Sequence, residues 1–256
     1  MIGMLSSAMH LMTRTMTKLL LLILLLPFAA TAADEHVRLD QAPIDIRDAA
    51  SLQRGAKIFV NYCLNCHSAQ YMRYNRLVDI GLTDQQIRDN LMFASNKVGD
   101  TMTVAMRKAD GAKWFGTAPP DLTVVARSRG PDWIYTYLRS YYRDDSTTTG
   151  WNNLVFPSVA MPHVLWELQG QQVLTVETHE GAHGKEQHRT LALASAGTLS
   201  SPEYDKLVAD LVNYLVFMGE PMQITRTRMG YVVLMGLAVL FVLAYLLKKE
   251  YWKDVH

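Results

Sequence analysis

"NYCLNCHSAQYMRY", residues 61–74, holds both cysteines of this 256-residue chain, Cys63 and Cys66, with His67 directly behind them. If the segment is helical, residues three apart share a face, and both sulfurs reach one side of a flat object. Cys-x-x-Cys-His is the attachment pattern of a c-type haem, in which two thioether bonds tether the macrocycle and the histidine ligates iron. A redox dithiol also uses Cys-x-x-Cys, but it is expected beside a βαβ pattern and does not need the histidine. A structural zinc site would need a fourth ligand, and no second cysteine pair exists to close the tetrahedron. A disulfide across two residues would be strained. The motif therefore predicts one covalent haem c on Cys63 and Cys66, with His67 as an iron ligand.

In bacteria such a haem is attached outside the cytoplasm, which requires an export signal. Arg14 and Lys18 precede the apolar run Leu19 to Leu26, and "FAATAAD" follows after Pro27. That is a basic n-region, a short h-region and an Ala-x-Ala-like cleavage site, predicting a signal peptide over residues 1–33. At the other end, Met229 to Leu247 is an uncharged stretch of 19 residues, long enough to span a bilayer once. Lys248, Lys249 and Lys253 follow it. The expected organisation is a periplasmic haem domain over 34–225, a transmembrane anchor over 226–248 and a cytoplasmic tail over 249–256. The protein would then sit in the bacterial inner membrane. Tyr245, Tyr251 and Trp252 suit the membrane interface.

The domain between these ends carries 18 Lys and Arg against 22 Asp and Glu, a net charge of −4 hidden by the near-neutral total. A negative head argues against nucleic acid and favours a basic protein partner. Four helices are expected. Ser51 caps the one leading into the haem motif, with Leu52, Ala56, Phe59, Val60 and Cys63 on one face. Thr83 and Gln86 form a capping box for a second. Pro131 opens a third, "PDWIYTYLRSYY". Ser201 and Pro202 open the fourth, whose stripe is Leu207, Val208, Leu211, Val212 and Leu215 and which Gly219 and Pro221 close.

Residues 171–194 differ in kind: two alternating runs, Val173–Thr178 and Thr190–Ala194, flank a Gly- and His-rich turn and predict a β-hairpin. Within it, His179-Glu180-Gly181-Ala182-His183 fits the zinc protease signature, with Glu203 as a third ligand. That chemistry needs both histidines on one helical face, which Gly181 and Gly184 disfavour.

One haem position remains after His67. Methionine there gives an electron carrier of raised potential, whereas an empty position permits peroxidase chemistry. Of 14 methionines, Met161 stands in the proline-bounded "FPSVAMPHVL", where a stiff backbone can aim its sulfur. Met102 and Met106, four apart, and His163 remain open from the residues alone.

In sum these segments resemble the cytochrome c1 family, the haem subunit of the quinol–cytochrome c oxidoreductase (bc1) complex, over nearly all of 45–252. "RGAKIFVNYCLNCHSAQYMRYNRLV" is similar to the family's attachment segment, "APPDLTVVARSRGPDWIYTYLRSYY" to its Pro-Pro-Asp-Leu segment and following helix. "FPSVAMPHVLWEL" is similar to its methionine-ligand segment, and "GEPMQITRTRMGYVVLMG" to its anchor entry. The resemblance implies a mainly α c-type cytochrome domain with a small β-hairpin insertion and one C-terminal transmembrane helix. It implies His67 and Met161 as axial ligands, Cys63 and Cys66 as attachment points and Arg127 near a haem propionate. Implied partners are cytochrome b, a Rieske iron–sulfur protein as donor and a soluble or membrane-bound cytochrome c as acceptor, in a dimeric complex. The chain would carry electrons and not itself be an enzyme. Two alternatives are a monohaem subunit of a terminal oxidase and a haem peroxidase with an open sixth position. After the ligand methionine the family often has a further residue and two prolines, where this chain has Pro162 and His163 at once.

Overall fold

The computed structural model describes residues 37–181 and 184–254. The expected signal peptide lies outside them. Two long helices frame the head. The first, α1 (Ala49–Ile58), runs into a π-helical turn at Phe59–Cys63. Asp48 caps it, not Ser51: the Asp48 carboxylate accepts the Ser51 N–H. Ser51 instead lies inside the helix, buried, and its hydroxyl oxygen accepts a hydrogen bond from Asn213. The Asp48 carboxylate satisfies the Ser51 amide and so starts the helix one turn before the Ser51 hydroxyl could cap it.

From the π turn the chain runs through a short strand β1 (Ala69–Arg73), a 3₁₀ stretch (Tyr74–Ile80) and α2 (Asp84–Leu91). The Thr83–Gln86 capping box is present in both directions, and Ile87 and Leu91 are buried. A two-residue strand β2 (Thr101–Met102) pairs antiparallel with β1. Next come α3 (Lys108–Phe115), α4 (Val125–Ser128) and α5 (Pro131–Arg139), with Pro131 in the first turn of α5. The expected third helix ends earlier than its quoted sequence, because Tyr141–Arg143 forms strand β3 against β4 (Trp151–Asn153). A short α6 (Trp166–Gln169) leads into the hairpin β5 (Gly170–Gly181) and β6 (Gly184–Ala196).

Last come α7 (Ser201–Gly219) and α8 (Gln223–Tyr251). Ser200, one residue before the expected Ser201, caps α7 in a reciprocal box with Glu203. The 29-residue α8 is long and apolar enough to cross a membrane and extends the expected anchor at both ends. The structure is thus mainly α, with three small antiparallel strand pairs.

The core forms where α1 crosses α7. Leu52, Ala56 and Phe59 meet Val208, Leu211, Val212 and Leu215, all buried, and the rings of Phe59 and Tyr214 sit 5.6 Å apart. Arg54 closes the rim by donating to both carboxylate oxygens of the nearly buried Asp210, at 2.6 and 2.8 Å. The helices approach this closely because Gly55 has no side chain. A Cβ there would lie 2.1 Å from the Asp210 carbonyl oxygen and 2.6 Å from Cβ of Tyr214.

Gly55→Ala should therefore destabilise the head by at least 1–3 kcal/mol, roughly the cost of overpacking a tight core. A lower denaturant midpoint at unchanged slope is the expected readout; an unchanged midpoint would mean that the two helices separate freely.

Candidate functional site

The haem motif sits where α1 gives way to the π turn. That widened turn ends at Cys63, whose carbonyl oxygen accepts both the Cys66 N–H at 3.1 Å and the His67 N–H at 2.8 Å. Helical insertions of this kind re-aim side chains at functional sites. The two thiols are half-buried and unbonded to each other. Burial pushes the Cys63 thiol up to about 12 and raises Cys66 as well, so both hold their protons near neutral pH.

His67 is buried, and its Nδ1 lies 2.7 Å from the carbonyl oxygen of Pro120. A carbonyl can only accept, so Nδ1 carries the proton and Nε2 keeps its lone pair for a metal. Burial lowers the pKa of the imidazole, and the Pro120 carbonyl and Asp121 oppose that shift only in part. The Pro-Pro-Asp-Leu segment is stitched to the haem motif at several further points. Asp121 accepts from the Gln70 N–H at 2.8 Å and from the Thr123 N–H at 2.9 Å, and the Leu122 N–H donates to the Ser68 carbonyl at 2.9 Å. Pro119 and Pro120 bring no amide protons that would need partners in an apolar wall.

Met161 arrives from a different part of the chain, after β4. Fully buried Asn153 organises this approach. Its Oδ1 accepts from the N–H groups of Val155 and Phe156, at 2.9 and 3.1 Å, and its Nδ2 donates to the Tyr137 carbonyl at 2.7 Å. Asn152 holds the next bend through the Ser158 N–H, where Ser158 adopts a left-handed φ of 60°. Such a φ is uncommon outside glycine and persists only where surrounding bonds fix it. Beyond Met161, His163 is buried with its ring stacked on Tyr141 at 4.7 Å and edge-on to Trp151. It pins the segment and does not line the cavity described next.

Cys63, His67, Pro120 and Met161 line one cavity of about 420 Å³, walled by Leu122, Val125, Ile134, Leu138, Leu211 and Leu215. A smaller extension adds Cys66, Pro119 and Pro162. This volume and this apolar lining with few polar groups suit a cofactor. An acceptor nitrogen, a thioether and two thiols on an apolar wall form the donor set that a covalent haem needs. The other methionine candidates lie elsewhere: Met102 is enclosed in strand β2 with the Tyr214 hydroxyl donating to its sulfur at 3.6 Å, and Met106 is near Gly111.

Arg127 is placed away from this cavity. Its guanidinium faces Glu220 at 3.3 Å, in a groove at the junction of the head with α8. Arg129 lines the cavity instead, its guanidinium 5.1 Å over the Trp133 ring and 6.0 Å from that of Phe156. Sequence reasoning passed over Arg129, Trp133 and Tyr137, although a signal was present. Trp133 and Tyr137 lie four apart on one face of α5, Arg129 precedes that helix across Gly130, and all three line the cavity.

The zinc-protease pattern meets a β-hairpin, not a helix: Gly170–Gly181 and Gly184–Ala196 are strands. Ala182 and His183 lie outside the described residues.

Comparison with known proteins agrees with the geometry. Residues 40–181 and 197–255 match the Cytochrome C1 family. An Allochromatium vinosum protein named cytochrome c1 is 52% identical over 94% of this chain and 100% of its own. A Nitrosomonas europaea protein named ammonia monooxygenase gamma subunit is 53% identical over 93% of this chain and 97% of its own. Cytochrome c1 of Rhodospirillum rubrum is 27% identical over 81% and 83%.

Truncating the hub, Asn153→Ala, leaves the Val155 and Phe156 amides without their acceptor and removes the shortest of the hydrogen bonds to the Tyr137 carbonyl, and should cost on the order of 3 kcal/mol. It should also lower haem content relative to protein, measured by pyridine haemochrome absorbance. Full haem content at full stability would show that Asn153 does not set the Met161 approach.

Proposed function

The chain belongs to the cytochrome c1 family, and on that premise we propose that it takes electrons from a Rieske iron–sulfur protein and passes them to a soluble or membrane-bound cytochrome c. It is a haem c protein, an electron-carrying subunit of a bc1 complex with cytochrome b. The observation that carries the reading is a single apolar cavity lined by Cys63, by His67 with Nε2 left as an acceptor, and by Met161 from a distant segment.

In this reading Cys63 and Cys66 would hold the group covalently, and His67 and Met161 would ligate its iron. The bound haem supplies a one-electron iron couple, which a methionine ligand shifts to higher potential. The protein contributes position and environment. Pro120 fixes the His67 tautomer, the leucine and valine walls exclude water, and Arg129 offers a cation to a carboxylate at the cavity. Arg129, which lines the cavity, would take the propionate role that the family resemblance implied for Arg127, whose guanidinium faces Glu220 outside it.

The head is proposed to face the periplasm, since the attachment chemistry requires export. Helix α8 would then carry the basic tail to the cytoplasmic side, and the assembled complex would be dimeric. The name of the Nitrosomonas relative suggests a second class of role, as a subunit of an oxygenase. The cavity lining supports the carrier: Met161 would supply a soft sulfur at the position that oxygen chemistry would need open.

Four experiments test this. Purified from membranes in mild detergent, the chain should bring cytochrome b and a Rieske protein with it; recovery with ammonia-oxidising subunits in their place would overturn the assignment. In the same preparation, denatured protein should keep its haem through acid–acetone extraction, and Cys66→Ala should weaken that retention. Met161→Leu should lose the weak red charge-transfer band of methionine-ligated ferric haem and show a lower potential. Persistence of that band in Met161→Leu would reassign the ligand, and ready binding of carbon monoxide by the unmutated protein would favour the peroxidase alternative.

A further inference from the structure

We propose that Tyr137 is a positioning residue for the Met161 sulfur and sets the potential of the bound haem by donating a hydrogen bond to that sulfur. The inference rests on Met161 as an iron ligand. The Tyr137 hydroxyl lies 3.5 Å from Sδ of Met161, and both residues line the haem cavity. A thioether has no proton to give, so the tyrosine is the donor.

The same hydroxyl is 2.5 Å from the hydroxyl of Tyr141. Each phenol has one proton. If Tyr137 spends its proton on sulfur, Tyr141 must donate to the Tyr137 oxygen, and the order Tyr141 to Tyr137 to Met161 is fixed. The surroundings hold the two rings in place. Tyr141 is fully buried and stacked flat on His163, and Tyr137 is stacked on Trp133 at 4.8 Å. Tyr204, the next buried phenol, donates to the Leu138 carbonyl at 2.8 Å and does not compete. Serial donation polarises each bond in the chain and strengthens the last one.

The consequence for the couple follows from the electron count at sulfur. A thioether sulfur has two lone pairs; one goes to iron and the other can accept the phenol proton. That hydrogen bond withdraws electron density from sulfur. Ferric iron, the poorer in electrons, loses more from a weaker donor than ferrous iron does. The reduced state is thereby favoured.

The test is a redox titration of the intact, haem-loaded protein in mild detergent. Tyr137→Phe keeps the ring and its stacking on Trp133 and removes only the donor. The reduced-to-oxidised equilibrium should fall about threefold, equivalent to about 28 mV at 59 mV per tenfold. The red charge-transfer band should persist but shift. Tyr141→Phe should lower the potential by less, since Tyr137 still donates but is no longer polarised.

An unchanged potential and band in Tyr137→Phe would overturn the proposal. A rise in Tyr141→Phe would overturn it too, by showing that Tyr137 had been donating to Tyr141. If Tyr137→Phe fails to load haem, the sign in Tyr141→Phe decides alone: a fall supports the proposal, a rise or no change overturns it. Failure here is distinct from failure of the ligand assignment, which is read from survival of the band in Met161→Leu.

Discussion

A single hydrogen bond, from Nδ1 of His67 to the carbonyl of Pro120, constrains the rest of the site. It decides which imidazole nitrogen holds a proton, and so which one is left to bind iron. To make that bond the chain must bring residues 119–122 against residues 63–71, which are far apart in sequence. Asp121 meets this demand with its contacts to Gln70 and Thr123, closing the loop on itself. A loop of this shape could not remain dry if its amides were exposed to the cavity. Two consecutive prolines remove that cost at the outset.

The opposite approach, through Met161, is built by other means. No regular element carries it. Asn152 and Asn153 act as side-chain substitutes for backbone pairing, and an aromatic stack of Tyr141, His163 and Trp151 closes behind the methionine. The buried His163 is held neutral, burial pushing its pKa down to about 4. It therefore packs as an aromatic ring and not as a cation. Polar side chains replacing secondary structure explain why this segment keeps a left-handed serine that a helix or strand would not tolerate.

Much of this was legible in the sequence, unevenly. The haem motif, the Thr83 capping box, the first-turn Pro131 and the uncharged span each carry their signal within a few residues, and local physics decides such features. The hairpin was legible for the same reason, though it extends well past its alternating runs. Helix starts were missed where a competing side chain sat nearby: Asp48 displaced Ser51, and Ser200 displaced Ser201. Met161 could be narrowed but not chosen from the residues alone, because its rivals differ only in tertiary position. Met102 looked like half of a helical stripe and is a strand residue in the core. Arg127 and Arg129 are two residues apart and chemically identical. Only the packing of α5 separates the one beside Trp133 from the one beside Glu220.

Glu220 has a consequence for motion. Its carboxylate is held below its usual range, first by the Arg226 guanidinium and then by Arg127, so it stays charged and shared between a head residue and the first turn of α8. A tilt of α8 would therefore pull on α4, which carries Arg127, two residues from Arg129 at the haem cavity. The shared carboxylate ties the head to α8. Electron tunnelling falls exponentially with separation, so a narrower spread of head orientations is also a narrower spread of transfer rates. A surface ion pair worth little for folding can in this way matter for timing.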